Sequence, residues 1–200
     1  MKWLVSSLVV ALPAATAVAG GIDHKVPYDD SGIWNRQVQR GIEYATMAAI
    51  GGGALWLGGD NRLGRTYWES LDAGAIALFT GEVSKRIFGR PRPNEIDDPD
   101  LWFQGSSYHS FPSTEVSTMA GLVTPLVLQY GYEHPAVWGL EALPVIVGIG
   151  RVKVQAHWQT DVLAGFALGS ASGYFVHRHD SPFILGAMPH GVQVGISKRF

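Results

Sequence analysis

Apolar stretches of helical length, separated by short joints rich in Pro, Gly and polar residues, fill the sequence from Trp34 to His177. Apolar residues recurring at three- and four-residue spacing are typical of helices that pack on one face. Two hundred residues with 46% hydrophobic content suit one domain with one core. We therefore expect an all-α bundle of about five to six helices. The predicted helices lie near residues 34–58, 66–88, 113–131, 135–149 and 158–177.

One interval within this region lacks a helical pattern. Residues 89–112, GRPRPNEIDDPDLWFQGSSYHSFP, contain clustered Pro, Asp and Gly and predict a long loop. Loops of this length in a compact domain are usually functional or disordered. The interval is therefore a candidate for part of a functional site.

The two ends of the chain differ from the helical region. Residues 1–19 combine a basic Lys2, an apolar run and a small-residue cleavage site, the layout of a secretory signal peptide. An uncleaved membrane anchor is the alternative. The alternating apolar residues near the C-terminus predict a short strand or an extended strap. The predicted organisation is a signal peptide at 1–19, an extended lead-in at 20–33, a helical domain at 34–180 and a short extended tail at 181–200.

Composition excludes several classes of function. The chain has no cysteine, which excludes disulfides, a thiol nucleophile and a thiolate metal site. A net charge of -2 gives no reason to expect a nucleic-acid partner. The charge-free apolar runs at 44–59 and 116–132 are shorter than the ~20 residues of a membrane span. The sequence therefore favours a water-soluble protein in the periplasm or secreted, with integral or peripheral membrane attachment as the alternative.

The segment GRVKVQAHWQTDVLAG, residues 150–165, contains charged and titratable residues among apolar ones. His157 and Asp161 are four residues apart, so on a helix both side chains lie on one face. An aspartate at that distance can accept a hydrogen bond from one imidazole nitrogen and leave the other as a free lone pair. The pair, with Arg151 upstream, is suited to a nucleophile, a general base or a metal ligand.

Two further polar clusters interrupt the apolar pattern. In KRIFGRPRP, Lys85 and Arg92 bracket the predicted end of a helix, where two cations can converge on an anion. In HSFPSTEVST, Ser113 and Thr114 follow Pro112 at the predicted start of a helix, which is a favourable place for an anion. Alone, the first cluster can be a solvated basic turn and the second an ordinary N-cap.

Together the three clusters resemble the signature of the type-2 phosphatidic acid phosphatase superfamily, which also includes bacterial non-specific acid phosphatases and vanadium haloperoxidases. The family pattern is K-x6-RP, then PSGH, then SR-x5-H-x3-D. This sequence has Lys85-x6-Arg92-Pro93, then Pro112-Ser113, then Arg151-x5-His157-x3-Asp161. The resemblance covers about residues 66 to 177, and the segment AHWQTDVLAG is especially similar to secreted acid phosphatases.

The resemblance implies a helical bundle with a phosphate pocket and neither a divalent metal nor a cofactor, although vanadate can occupy the phosphate site. It implies that His157 attacks phosphorus to form a phosphohistidine and that Asp161 holds the imidazole. The resemblance also implies that phosphate is bound by Lys85, Arg92, Ser113, Thr114 and Arg151. Fixed cations of this kind stabilise the charge on the equatorial oxygens during phosphoryl transfer.

The sequence departs from the family pattern at two places. Gly150 stands where the family has Ser, and Thr114-Glu115 stands where the family has Gly-His. The family histidine protonates the leaving oxygen, so Glu115 is the candidate general acid here. A phosphate dianion raises the pKa of a neighbouring carboxyl, whereas the nearby cations lower it. His109 is another possible acid, although its spacing does not require that role.

These features predict an extracytoplasmic, metal-independent phosphatase that acts on a phosphorylated small molecule or a lipid phosphate, with possible contact to a membrane surface. Its activity is expected to be real but reduced. One alternative is a catalytically weakened homologue that binds phosphate or phospholipid. The other is a vanadium-dependent haloperoxidase.

Overall fold

A computed structural model describes residues 21–179, 183–188 and 191–196, and the predicted signal peptide lies outside these ranges. The described chain contains five α-helices, which confirms the predicted all-α bundle. Two 3-10 helices, Gly32–Trp34 and Pro135–Glu141, precede the first and fourth of them. The α-helices are α1 (Arg36–Leu57), α2 (Arg62–Phe88), α3 (Thr114–Tyr130), α4 (Ala142–Lys153) and α5 (Gln159–His179).

Capping residues explain where the helices differ from the predicted ranges. α2 begins four residues earlier than predicted, because the Asn61 side chain accepts a hydrogen bond from the Gly64 amide at 2.8 Å. α2 ends at Phe88 as predicted, and the Gly89 that follows adopts a left-handed conformation with φ of 45°. The helix predicted at 135–149 is instead a 3-10 segment that continues into α4.

Helix α3 lies at the centre of the bundle and packs against α2, α4 and α5. α5 crosses the start of α3 in backbone contact, since a Cβ at Gly165 would lie 2.5 Å from the Ser113 carbonyl oxygen. The start of α3 is therefore fixed by a close helix crossing. Apolar side chains of the central cluster supply the main driving force for folding. They are Ile50, Val116, Met119, Leu122, Leu126 and Val147.

Residues 21–31, here called the N-terminal strap, run in extended form across the connection between α4 and α5. The Asp29 amide donates to the Lys153 carbonyl at 3.0 Å, and the Gln155 side chain donates to the Val26 carbonyl at 2.7 Å. The strap also contacts the 89–112 loop through an ion pair of 2.5 Å between Lys25 and Asp97. It therefore joins two segments that are distant in sequence.

The C-terminal residues form an antiparallel hairpin of β1 (Phe183–Met188) and β2 (Gly191–Ile196). The apolar alternation predicted β2. The tail forms a two-stranded hairpin instead of a single strand or strap. β1 pairs with β2 along its whole length, with Leu185 opposite Val194. β1 was not predicted, because its sequence FILGAM lacks the polar alternation of a half-buried strand.

Candidate active site

The structure brings the three polar clusters of the sequence to the N-terminal end of α3. Lys85, near the end of α2, is buried, and its Nζ donates to Oγ1 of Thr114 at 2.7 Å. The Ser113 amide donates to the Asp161 carbonyl at 3.0 Å. The second cluster therefore contacts both of the others through direct hydrogen bonds.

His157 is buried in the connection between α4 and α5, and its ring is held by a backbone carbonyl. Nδ1 lies 2.7 Å from the Ser110 carbonyl oxygen. Because a carbonyl only accepts hydrogen bonds, Nδ1 carries the ring proton and Nε2 carries the lone pair. Nε2 makes no hydrogen bond with the described part of the chain. The ring therefore presents a nitrogen that can attack or accept a proton.

The hydrogen bond predicted between Asp161 and the imidazole is not present. Oδ2 of Asp161 lies 3.7 Å from Nδ1 of His157, beyond hydrogen-bond length. Its oxygens are engaged elsewhere, because Oδ2 accepts from the Ser110 hydroxyl at 2.5 Å and the Trp158 amide at 2.8 Å. Asp161 thus reaches the ring through Ser110, whose hydroxyl binds Asp161 and whose carbonyl binds His157.

Charge around this pair sets both protonation states. Burial raises the pKa of Asp161, but the neighbouring His157 ring, the Arg90 guanidinium and the Ser110 hydroxyl outweigh burial and lower it below its usual value. Burial lowers the pKa of His157, and Asp161 offsets only part of that effect, while Arg151 and Lys85 lower it further. At neutral pH the site therefore holds an aspartate and a neutral imidazole.

Three cations lie together at the site. Arg151 and Lys85 are close enough to His157 to lower its pKa, and Arg92 is close enough to both of them to contribute to the lowering of their pKa values. Burial lowers the pKa of Lys85, and Glu82, whose carboxylate lies 3.2 Å from Nζ, opposes that change. The half-buried Arg92 guanidinium forms no ion pair with a described side chain. This cluster provides positive charge for an anion.

The start of α3 adds uncharged donors to the cations. The Ser113 hydroxyl is fully buried and has no hydrogen-bond partner in the described chain. A buried hydroxyl without a partner costs about 1–3 kcal/mol, which a bound anion can recover. The positive end of the α3 dipole lies at the same place. The predicted phosphate-binding residues are thus grouped around one helix terminus.

Glu115 is bound by two arginines. Nε of Arg151 lies 2.7 Å from Oε2 of Glu115, and Arg36 at the start of α1 contacts both carboxylate oxygens. Burial raises the pKa of Glu115, but Arg151 and Arg36 outweigh burial and lower it overall. Glu43 lies beyond Arg36, and burial raises its pKa to about 6. Glu115 is therefore ionised at neutral pH when no anion is bound.

At Gly150, the other departure from the family pattern, a neighbouring side chain occupies the space that a Cβ would need. A Cβ at Gly150 would lie 2.7 Å from the Gln39 amide carbon. Gln39 is itself fixed, because its Nε2 donates to the Ile33 carbonyl at 2.6 Å. A serine at position 150 would collide with Gln39, so the two positions have to be considered as a pair.

Sequence reasoning missed three residues of the site. Ser110 and Arg90 lie inside the clusters singled out in the sequence, but no spacing rule assigned them a role. Arg36 lies 79 residues from Glu115, and nothing near it in the sequence connects the two. His109 interacts electrostatically with Glu82 at the edge of the site, and its predicted role as an acid stays a prediction.

No group of three or more His, Cys, Asp or Glu side chains within the described ranges is arranged to hold a metal ion. Metal independence and the absence of a cofactor stay predictions. The same holds for the assigned roles of the site residues.

Two curated proteins similar to this chain are a lipid A 1-phosphatase and an undecaprenyl-diphosphatase. Over 106 residues it is 34% identical to a lipid A 1-phosphatase of Porphyromonas gingivalis, covering 51% of this chain and 21% of that protein. Over 98 residues it is 34% identical to an undecaprenyl-diphosphatase of Sulfolobus acidocaldarius, covering 48% and 46%. The chain thus spans less than half the length of these curated relatives.

Two solved structures have a similar fold. The crystal structure of Aquifex aeolicus LpxE matches with a TM-score of 0.53 and 17% identity, covering 70% of this chain and 84% of that one. A transmembrane PAP2 type phosphatidylglycerolphosphate phosphatase from Bacillus subtilis matches with a TM-score of 0.51 and 23% identity, covering 75% and 78%. At these identities the likeness concerns the fold.

The family model of the PAP2 superfamily matches residues 67–182, which is more than half of the chain and contains all three clusters. The order of the motifs, the helical bundle and the convergence of the motifs at the start of α3 agree with that match. The chain belongs to the PAP2 superfamily.

Proposed function

We propose that the protein is a phosphatase that transfers a phosphoryl group from a phosphate ester to His157 and then to water. The orientation of the His157 ring is the observation that carries the proposal. With Nδ1 bound to the Ser110 carbonyl at 2.7 Å, the lone pair is on Nε2, and Arg151 and Lys85 are close enough to act electrostatically on the ring. A neutral imidazole with a free nitrogen in a cationic pocket is suited to nucleophilic attack on phosphorus.

The reaction proceeds in two displacements. Nε2 of His157 forms a bond to phosphorus while the bond from phosphorus to the ester oxygen breaks, and the leaving oxygen takes a proton from the protonated form of Glu115 or, when Glu115 is ionised, from water. Water then attacks the phosphohistidine, which releases inorganic phosphate and restores the imidazole. Lys85, Arg92 and Arg151 stabilise the negative charge on the equatorial oxygens in both steps.

A lipid phosphate is the substrate class that the surroundings of the site favour. Phe79, Val83 and Ile87 recur every fourth residue on α2 and are 72%, 42% and 61% exposed. Phe103, 68% exposed, adjoins the end of α2, where its amide donates to the Phe88 carbonyl at 2.8 Å. These four side chains form what we call the apolar face, next to the helix end that carries Lys85. An exposed apolar surface of this kind is typical of a membrane contact.

The apolar face and the relatives support action at a membrane surface. The similar curated proteins are named for lipid A and undecaprenyl diphosphate. Within the described residues one stretch, Pro135–Lys153, is long and apolar enough to cross a membrane by length and composition. We propose a location outside the cytoplasm, which depends on the signal peptide predicted at 1–19.

The ion pairs of Glu115 favour one alternative, a weakened homologue that binds phosphate without turning it over. An ionised Glu115 has no proton for the leaving oxygen, and it repels a phosphate dianion. Loss of a general acid typically lowers the rate by ~10² to 10⁴. We propose that turnover persists at a reduced rate, because the nucleophile and the cations are in place.

The proposal is tested by phosphate release from p-nitrophenyl phosphate and from phosphatidate in mixed micelles. We expect steady turnover by the parent and none by His157→Ala, with His134→Ala, an exposed histidine far from the site, as the matched control. Vanadate is expected to inhibit competitively and EDTA to have no effect. No release by the parent on either ester would refute a phosphatase, and bromide oxidation dependent on vanadate would indicate a haloperoxidase.

A further inference from the structure

Asp23, in the N-terminal strap, binds the first turn of α5. Its Oδ1 accepts from the Thr160 amide at 2.7 Å, and its Oδ2 accepts from the Thr160 hydroxyl at 2.6 Å. The two residues are 137 positions apart in the sequence. The carboxylate thus caps α5 from outside the helix, at the residue that precedes Asp161.

Asp23 also binds Arg90, which connects it to Asp161. Nη2 of Arg90 lies 2.7 Å from Oδ2 of Asp23, and Nη1 lies 2.6 Å from Oδ1 of Asp161. The Arg90 guanidinium is almost wholly buried. It also stacks near the rings of Trp102 and Trp158, with centroids 4.2 and 5.6 Å from Cζ. Because both terminal nitrogens of the guanidinium bind carboxylates and aromatic rings lie near it, the position of the guanidinium is fixed.

The rest of the strap keeps Asp23 in register with α5. The His24 amide donates to the Gln159 side chain at 3.0 Å, and Gln159 Nε2 donates back to the His24 carbonyl at 2.9 Å. This reciprocal pair lies one residue from the Asp23–Thr160 contact on both segments. Asp23 is therefore fixed by the backbone around it.

We propose that Asp23 is a positioning residue that acts through Arg90 on Asp161 and thereby on His157. The inference rests on the proposed function, because its effect is on the nucleophile. Oδ2 of Asp161 accepts from the Ser110 hydroxyl at 2.5 Å, and Oδ1 of Asp161 accepts from Arg90 at 2.6 Å. Asp23 supplies the second negative charge that keeps Arg90 between two carboxylates.

Removing the charge of Asp23 leaves Asp161 as the one carboxylate within the described residues that pairs with Arg90, whose other hydrogen bonds go to the Pro99 carbonyl at 2.6 Å and the Thr160 hydroxyl at 2.8 Å. A buried charge that loses one of its partners moves toward the remaining partner or toward water. Either movement displaces Asp161 and, through Ser110, the His157 ring. The phosphate-binding cations are not bonded to the strap, so binding of the anion is expected to change little.

The test is a double-mutant cycle on kcat with Asp23→Asn and Asp161→Asn, measured on p-nitrophenyl phosphate. We expect Asp23→Asn to lower kcat about 10- to 100-fold, since small misplacements of a reacting group have effects of that size. The inhibition constant of vanadate is expected to stay within about twofold, because positioning and binding are separate. In the Asp161→Asn background the same substitution is expected to change kcat less than about twofold.

Asp29→Asn is the matched control, because it makes the same change on the same strap at a residue that pairs with Lys153 instead of Arg90. If Asp23→Asn matches this control, or acts equally in both backgrounds, the coupling is refuted while the phosphatase stands. A parent without turnover refutes the proposed function and this inference with it. If Asp23→Asn does not fold, Thr160→Val, which removes the hydroxyl between Asp23 and Arg90, enters the same cycle, and the same outcomes decide.

Discussion

Glu115 is the residue at which this site differs most from the family pattern. The carboxylate lies between Arg36 and Arg151, and both contacts lower its pKa. Arg151, one of the three cations predicted to bind phosphate, is therefore partly neutralised when no anion is bound. The arrangement links the binding of an anion to rearrangement of the Glu115–Arg151 pair.

The protonation state of Glu115 determines how the rate depends on the leaving group. Because its pKa is lowered, Glu115 is mostly ionised at neutral pH. The protonated fraction of Glu115 falls about tenfold for each pH unit above that pKa. Turnover of alkyl phosphates, whose leaving oxygen needs a proton, is therefore expected to decrease as pH rises, with an optimum on the acid side of neutrality. Glu115→His is expected to raise alkyl phosphate turnover about 10²-fold at neutral pH and to move the optimum upward.

Glu115→Gln is the control for this prediction, because it keeps the size of the side chain and cannot give up a proton. It is expected to slow alkyl phosphates much more than p-nitrophenyl phosphate, whose leaving group needs no acid. Equal rates for Glu115→Gln and the parent on alkyl phosphates at every pH would show that Glu115 is not the acid. The measurement is kcat against pH for both ester classes.

The grouping of His157 with Asp161 and the cations was predicted from the spacing of the motifs together with the family resemblance, and the details of their contacts were not. His157 and Asp161 are one helical turn apart, so the sequence placed them together. The Nδ1–H of the ring donates to the Ser110 carbonyl, and because every residue has a backbone carbonyl, the sequence does not single this one out. Arg36 is likewise brought to Glu115 by the packing of α1, which local pattern cannot specify.

At the scale of elements, the site depends on how closely α5 crosses α3. Gly165→Ala would place a Cβ 2.5 Å from the Ser113 carbonyl oxygen, and a backbone atom cannot move aside easily. We expect a loss of about 1–3 kcal/mol of the free energy of unfolding, as for other overpacked sites. Because Ser113 moves with the helix, kcat is expected to fall as well. Thermal unfolding and phosphate release measure the two effects.

Gly52→Ala on α1 is the matched control, because nothing lies within 4 Å of the Cβ it would add. There the same substitution is expected to stabilise the protein by about 0.5–1 kcal/mol, since alanine favours a helix more than glycine does. An unfolding temperature for Gly165→Ala at or above that of the parent would contradict the close crossing.

The helices were predicted as elements more accurately than their ends. Long periodic segments identified α1, α2, α3 and α5, and the 89–112 loop was placed correctly. The start of α2 depends on a cap made by Asn61, and the segment after Pro135 is a 3-10 turn before it becomes α4. Both features depend on local hydrogen bonds that apolar periodicity does not report.

At the scale of the whole molecule, the apolar face predicts a difference between lipid and soluble substrates. The double variant Phe79→Gln, Ile87→Gln is expected to lower turnover of phosphatidate in vesicles about 10-fold, because less apolar surface enters the bilayer. Turnover of p-nitrophenyl phosphate is expected to stay within about twofold. Initial rates on the two substrates provide the measurement.

Tyr132→Gln serves as the control for the apolar face, since this side chain is 99% exposed and lies beyond the opposite end of α3. It is expected to leave both rates unchanged. If the double variant lowers the two rates equally, the apolar face does not distinguish lipid from soluble esters.

Covalent labelling tests directly the proposal that His157 carries the phosphoryl group. Protein mixed with ³²P-labelled ester and quenched in alkali within the first turnovers is digested, and the labelled peptide is identified. Phosphoryl transfer to His157 predicts a label on the peptide that contains His157, stable in alkali, released by acid and absent from His157→Ala. Turnover by the parent without any such label, or a label that persists in His157→Ala, would contradict it.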